Sequence, residues 1–311
     1  MITILGPTAS GKTKIAVQVA CRIGGEIISA DSRQVYRGMD IGTGKDLDEY
    51  HAGGHHIPVH LIDIREPGHE YNIFEFRNDF LEAWQGILSR GKAPIMCGGS
   101  GMYLDSILND YHLTDASETD SPKDKLQKMS DEELTGLLRS MKKLHNKTDL
   151  EDRERLIKAI RIAERSRTDS SGYLPKTIPD LRENTFGISI PRPLQMQRIS
   201  ERLTQRLRTG MIEETERLLA SGITPERLIR YGLEYRFTTL YLTGKITFQE
   251  MEEKLNIAIR QFAKRQMTWF RGMERRGTRI CWIDGQRPVE ETASEIISRV
   301  TGGEKSNRNQ E

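Results

Sequence analysis

One eight-residue run, Gly6-Pro7-Thr8-Ala9-Ser10-Gly11-Lys12-Thr13, constrains this 311-residue chain more than any other feature. It follows the apolar stretch Ile2–Leu5 and opens an amphipathic stretch over 11–22, so it reads as strand, loop and helix. The pattern G-x-x-x-x-G-K-T in that context is a phosphate cradle. Consecutive backbone N–H groups and the positive end of the helix wrap a diphosphate, Lys12 neutralises its outer oxygens, and the Thr13 hydroxyl ligates Mg²⁺. Such a loop names a bound group and leaves the reaction open.

The alternation continues beyond it. Glu26-Ile27-Ile28-Ser29-Ala30 predicts a second strand with Asp31 at its carboxyl end, and His60-Leu61-Ile62-Asp63-Ile64 a third. Ala93-Pro94-Ile95-Met96-Cys97 predicts a fourth, stopping at Gly98-Gly99. Between them, the spacing of Ile73, Phe76, Phe80, Ala83, Trp84 and Ile87 predicts a helix over 73–89. This is an α/β class: a P-loop NTPase-like parallel sheet with flanking helices, which binds ligands at the carboxyl ends of its strands. Asp31 and the glycines 98–101 fall at that edge.

The character changes after residue 109. A polar stretch precedes Ser130-Asp131-Glu132-Glu133, a capping-box start for a helix to about residue 142, and a second helix is expected over 150–165, then a loop to 184. A returning strand over 186–190, long helices over 194–221 and 247–273 and a last strand over 279–283 follow. The expected organisation is a core over 1–109, a mainly helical insert over 110–184, the second part of the core with basic helices over 185–300, and a disordered polar tail over 301–311.

Composition narrows the class. With 36% hydrophobic residues the chain can bury a real core, and no run approaches the roughly 20 apolar residues of a membrane span. Met1 leads directly into Ile2-Thr3-Ile4-Leu5 with no basic and apolar leader, so a cytoplasmic location is expected. Cys21, Cys97 and Cys281 are widely separated and read as buried small hydrophobes. The net charge of +2 predicts no polyanionic partner, but its distribution does: residues 192–279 hold 18 Lys and Arg against 10 Glu and no Asp. At 100° per residue Arg260, Lys264, Arg271 and Arg275 fall within about 60° of one another, a face that can track phosphates, with Phe262, Trp269 and Met273 opposite as core.

Other candidates resolve to plainer roles. Asp63 reads as a structural hydrogen-bonding aspartate, and His55, His56 and His60 as loop histidines rather than a metal set. Tyr231, Tyr235 and Tyr241, at near-helical spacing, read as packing.

The segment Asp31-Ser32-Arg33-Gln34-Val35-Tyr36-Arg37-Gly38-Met39-Asp40-Ile41-Gly42-Thr43-Gly44-Lys45 resembles the D-S-x-Q-[VI]-Y-[RK]-x-[ML]-D-I-G-T-[AG]-K signature of the tRNA dimethylallyltransferases. His60-Leu61-Ile62-Asp63, Gly98-Gly99-Ser100-Gly101-Met102-Tyr103-Leu104 and Ala263-Lys264-Arg265-Gln266-Met267-Thr268-Trp269-Phe270-Arg271 resemble three further blocks of that family, in family order. Serine stands at position 100 where the family has threonine. The family's G-Y-[KR]-[EQ] block is Gly232-Leu233-Glu234-Tyr235 here, which displaces its basic residue to Arg230 or Arg236.

The resemblance implies transfer of a dimethylallyl group from dimethylallyl diphosphate to the exocyclic amine of the adenine 3′ of the anticodon in tRNA. Its partners would be the tRNA anticodon arm and the diphosphate donor, with Mg²⁺ as cofactor and no membrane, the chain acting as a monomer. Gly6 to Thr13, with Lys12 and Ser100, would then stabilise a diphosphate leaving group, with Arg230 supplying the displaced basic residue. Asp31, at a strand end beside the cradle, is the candidate base for the amine proton. Ser32, Arg33 and Gln34 would hold a flipped nucleotide, while Arg155 and Lys158 in the insert and Arg260, Lys264 and Arg271 would contact the tRNA. Two alternatives stay open on the cradle alone: a P-loop kinase, and a prenyltransferase acting on a free nucleotide.

Overall fold

The computed structural model describes residues 1–110, 126–141, 153, 156–157, 159–161 and 181–307. β1 (Ile2–Leu5) leads to α1 (Lys12–Ile23), β2 (Gly25–Ala30), a short hairpin of β3 (His51–Ala52) and β4 (His55–His56), β5 (Val59–His60), α2 (Ile73–Ser89), β6 (Ala93–Gly98) and α3 (Gly101–Leu108). After α4 (Asp131–Met141) come β7 (Thr185–Ser189), α5 (Arg192–Arg208), α6 (Met211–Ala220), α7 (Pro225–Leu228), α8 (Leu233–Leu242), α9 (Phe248–Arg275), β8 (Cys281–Asp284) and α10 (Val289–Asn307). Two compact units result, Met1–Asp110 with Pro179–Glu311, and Tyr111–Ile178. Among the described residues no helix is long and apolar enough to cross a membrane.

The larger unit is built on a six-stranded sheet in the order β5-β2-β6-β1-β7-β8, every pair parallel. All residues of β1 and β2 are buried, as expected for strands covered on both faces. Ile4 pairs with Cys97 on one side and Phe186 on the other, which places β1 and its following loop mid-sheet. Ile15 and Val19 of α1 pack with Ala293 and Ile296 of α10 in the core beneath. Burying each such large aliphatic contributes about 1.5–3 kcal/mol.

Three expectations change. The third strand is cut to Val59–His60, because Leu61 and Asp63 turn to φ 64° and 56°. That turn delivers the Asp63 carboxylate to the buried Lys45 ammonium, and the following backbone is held instead by Ile64 N donating to Val35 O at 2.9 Å. The helix expected over 194–221 is two helices, since Gly210 at φ 107° ends the first and caps the second. The tail expected from 301 is helical to Asn307, and 308–311 lie outside the described residues. Val289, Ala293, Ile296, Ile297 and Val300 form the apolar stripe that docks α10 into this core, where Arg22 Nη1 donates to Ser294 Oγ at 2.5 Å.

Local signals elsewhere set their elements as the sequence predicts. Asn72 and Glu75 form a reciprocal capping box at the start of α2. In the smaller unit, Ser130 N donates to Glu133 Oε2 at 2.7 Å and Glu133 N to Ser130 Oγ at 3.2 Å. Leu134 and Leu138 of α4 pack there with Leu156 and Ile160. Cys97 is buried as expected, whereas Cys21 and Cys281 are half-buried.

Candidate active site

The loop between β1 and α1 is bent by two residues at positive φ, Ala9 at 63° and Gly11 at 87°. A non-glycine residue in that region costs about 1–3 kcal/mol, which the surroundings must offset. Two glutamines do so. Thr8 N donates to Gln266 Oε1 at 2.8 Å, and Gln195 Nε2 donates to Thr8 O at 3.0 Å. Gln266 Nε2 also donates to Gly99 O at 2.9 Å, so one α9 side chain ties the loops after β1 and β6 together. Gly11 caps α1 without a side-chain bond and the first turn holds no acidic residue, which leaves the helix N–H groups and positive end for an outside anion. Ser10 Oγ is buried there without a hydrogen-bond partner among the described residues.

This loop opens into a cavity of about 1100 Å³ at the carboxyl ends of the strands. Lys12 and Thr13 line it from the start of α1, the Asp31–Gln34 segment from the end of β2, and Ser100 from the end of β6. Burial lowers the Lys12 ammonium below the ordinary lysine value; the nearby Asp31 charge opposes that shift and Arg202 adds to it. A desolvated cation in a cleft is stabilised by a bound anion. Asp31 Oδ1 accepts the N–H of Arg33 at 3.0 Å, and Oδ2 takes no hydrogen bond among the described residues. Ser100 Oγ accepts the Ser32 N–H at 3.0 Å. Its hydroxyl is thus tied to the Asp31 segment. Gln34 is committed at both ends of its amide, Oε1 accepting from Ser29 Oγ and Nε2 donating to Gly44 O, both at 3.1 Å.

The remaining expected residues divide. Arg33 and Arg230 line the cavity, as does Arg236. Arg260, Lys264 and Arg271 do not line it: Arg260 Nη2 donates to Ser200 Oγ at 2.9 Å, while Lys264 and Arg271 are exposed on α9. The α9 face toward the cavity carries Phe262, Arg265 and Trp269. Phe262 is therefore not core but 39% exposed, because the buried stripe of α9 runs through Leu255, Ile259, Ala263, Gln266 and Phe270. Tyr231 and Tyr235 are core. His55 and His56 are exposed on their hairpin, and His60 Nε2 lies 2.7 Å from Glu26 Oε2. Arg155 and Lys158 lie outside the described residues.

Sequence reasoning missed a second basic wall. Arg202 and Arg206 of α5 line the cavity and share one carboxylate, Asp46, at 2.8 and 3.5 Å. Burial lowers the Arg202 guanidinium, and Arg206 beside it acts the same way. Facing them, Glu234 has its carboxyl raised by burial, with Arg206 partly offsetting. The available signal was the run Arg198, Arg202, Arg206 at four-residue intervals on one helix face.

A parallel α/β sheet whose first loop offers free helix-end amides and a desolvated lysine, across a cavity from a half-committed carboxylate, defines an enzyme of P-loop-like fold. The IPP transferase family profile matches residues 34–273 and an isopentenyl transferase profile residues 1–63. The chain is 52% identical over 298 residues to tRNA dimethylallyltransferase 2 of Phocaeicola vulgatus, covering 96% of each chain. It is 51% identical to tRNA dimethylallyltransferase 1 of Porphyromonas gingivalis over 97% of this chain and 99% of that one. Its fold matches the crystal structure of the tRNA isopentenylpyrophosphate transferase of Bacillus halodurans with a TM-score of 0.69 at 28% identity, covering 100% of this chain and 99% of that one. The chain belongs to the tRNA dimethylallyltransferase family, which makes it a prenyltransferase.

Proposed function

We propose that the protein transfers the dimethylallyl group of dimethylallyl diphosphate to the exocyclic amine of the adenine 3′ of the anticodon in tRNA, acting as a cytoplasmic monomer. The observation that carries this reading is the placing of Lys12 and the open end of α1 in the same cavity as Asp31. One side suits a diphosphate and the other a proton acceptor.

The allylic C–O bond breaks, a C–N bond forms, and one proton leaves the amine. Diphosphate departs against Lys12, the loop amides and the Ser10 hydroxyl, all fixed before the reaction, so charge developing on the leaving group meets dipoles already in place. Asp31, held by the Arg33 N–H through one oxygen, has the other to take the amine proton. Ser100 keeps Ser32 and the Asp31 turn in register with the β6 loop. Phe262 and Trp269 offer aromatic surface to a base drawn out of the anticodon stack, an event that costs a few kcal/mol. The exposed Lys264 and Arg271 suit the RNA backbone beyond the cavity.

Thr13 supplies a hard oxygen donor that fits Mg²⁺, and diphosphate oxygens and water would supply the rest of its shell. Bound there, the ion would neutralise the leaving group.

The test is incubation of the purified protein with unmodified tRNA and dimethylallyl diphosphate, with ATP in a parallel reaction, followed by mass spectrometry of the nucleosides. Prenylated adenosine in the anticodon loop, with equimolar diphosphate and no use of ATP, is expected. Phosphoryl transfer from ATP, or prenylation of free nucleotides in preference to tRNA, would replace the reading.

A further inference from the structure

Glu214 is 2% exposed on α6, and among the described residues no Lys or Arg pairs with it. Its charge is met by dipoles alone. Oε2 accepts the N–H groups of Asp40 and Ile41, both at 2.9 Å. Oε1 accepts the N–H of Gly42 at 2.9 Å and the Tyr235 hydroxyl at 2.6 Å. Burial and the adjacent Glu214 carboxylate raise the Tyr235 phenol above the ordinary tyrosine value, so it remains a donor. Four acceptances use the full capacity of a carboxylate, and a neutral amide could not match them.

The backbone so held is the far end of the segment that begins at Asp31. A Cβ on Gly42 would meet the Tyr235 ring at 2.6 Å, so only glycine lets this turn seat against α8. Gly44, at φ 65°, leaves room for the Arg206 guanidinium that lines the cavity. Gln34 carries the fixed position back, bridging Gly44 O to Ser29 at the end of β2. Lys45, fully buried, closes the same segment by donating to Tyr36 O and Asp40 Oδ1, each at 2.6 Å. Hydrogen bonds and backbone together thus run from Glu214 through residues 40–44 and Gln34 to Ser29, two residues before Asp31.

We infer that Glu214, with Tyr235, is a positioning residue that sets the Asp31–Gln34 segment for catalysis. The inference rests on the proposed role of Asp31. A buried carboxylate without a counter-cation is expensive, and a turn could be packed more cheaply with apolar groups. What the carboxylate supplies is a fixed place for three consecutive amides, and displacements of about 1 Å at reacting groups cost on the order of 100-fold in rate.

The experiment compares Glu214→Gln and the milder Tyr235→Phe, each alone and combined with Asp31→Asn, by single-turnover rate, KM for dimethylallyl diphosphate, and amide hydrogen exchange at residues 40–42. The expected result for Glu214→Gln is a loss in kcat of about tenfold to a hundredfold, with KM within about twofold and a smaller loss for Tyr235→Phe. In the Asp31→Asn background, each substitution is expected to cost less than about twofold, because it acts through Asp31. Exchange at 40–42 is expected to quicken in both variants. Losses that multiply fully with Asp31→Asn, or a raised KM at unchanged kcat, would overturn the inference. Unchanged exchange in Tyr235→Phe, which keeps the ring that packs on Gly42, would overturn it independently of any assay. A wild-type protein that transfers no prenyl group would instead strike the functional reading, with the exchange data still deciding this one.

Discussion

Gln266 on α9 grips Thr8 across the sheet edge, accepting its N–H at 2.8 Å while donating to Gly99 O at 2.9 Å with the other end of the same amide. The residue is 7% exposed and stands 258 positions away from the loop it holds. The cradle is therefore completed by α9, the longest helix among the described residues. A sequence ending before α9 would carry the G-x-x-x-x-G-K-T pattern without the support that fixes its shape.

Gln266→Leu is expected to leave the Thr8 N–H and the Gly99 carbonyl unpaired, which destabilises the fold by about 2–4 kcal/mol. It should also raise KM for dimethylallyl diphosphate more than KM for tRNA, because the loop it releases is assigned to the diphosphate. Thermal unfolding and steady-state kinetics on the same preparation check both parts. Equal effects on the two substrates would detach Gln266 from the cradle.

What the sequence reveals and conceals here follows from the range of the interactions involved. The cradle and α2 are legible because their causes are local: a strand-loop-helix sequence over 2–22, and an Asn72–Glu75 capping box three residues apart. Asp63 reads as a strand end because an apolar run precedes it, whereas its turn is set by Lys45, 18 residues away. Phe262 reads as core because a helical wheel sorts residues by polarity and contains no cavity. Arg202 and Arg206 recur at a four-residue interval, but such a basic face reads equally as solvated surface, and nothing local announces that it lines the cavity or that Glu214 of α6 is buried. Ser100 is expected at the diphosphate, and its hydroxyl is found bonded to the Asp31 segment. The α10 stripe is present in the sequence, at four-, three- and four-residue steps, and is obscured by the polar residues after 301.

Stability should depend on pH through Glu26. Its carboxyl is held below the ordinary value first by hydrogen bonds from Arg90, at 3.1 and 2.7 Å, and then by His60, against an opposing effect of burial. A carboxylate with a lowered folded pKa contributes stability above its unfolded value, near 4.5, and that contribution is lost as pH falls through the folded pKa. Glu26→Gln should cost about 1–2 kcal/mol at pH 7, discounted for the half-exposed Arg90, and progressively less below pH 4.5. Urea midpoints for both proteins between pH 3 and 7 test this. A difference that stays constant across that range would mean that packing, and not charge, makes Glu26 matter.

Lys264→Ala with Arg271→Ala should weaken tRNA binding and lower the slope of log affinity against log salt, by about 0.7–0.9 for each phosphate no longer neutralised. Arg260→Ala is expected to change the slope less, since its guanidinium is bonded to Ser200. Filter binding at several salt concentrations separates these. A slope unchanged in the double variant would return that face of α9 to solvent.

The central claim is that Asp31 removes the amine proton, and Asp31→Asn tests it most directly. The substitution keeps size and the bond from the Arg33 N–H but cannot accept a proton in the working pH range. The measurement is the single-turnover rate together with both dissociation constants, at two Mg²⁺ concentrations. The account predicts a rate lower by about 10²–10⁴, with affinities for tRNA and dimethylallyl diphosphate nearly unchanged and no recovery with added Mg²⁺. Weakened diphosphate binding that extra Mg²⁺ restores, or a near-wild-type rate at both concentrations, would contradict it.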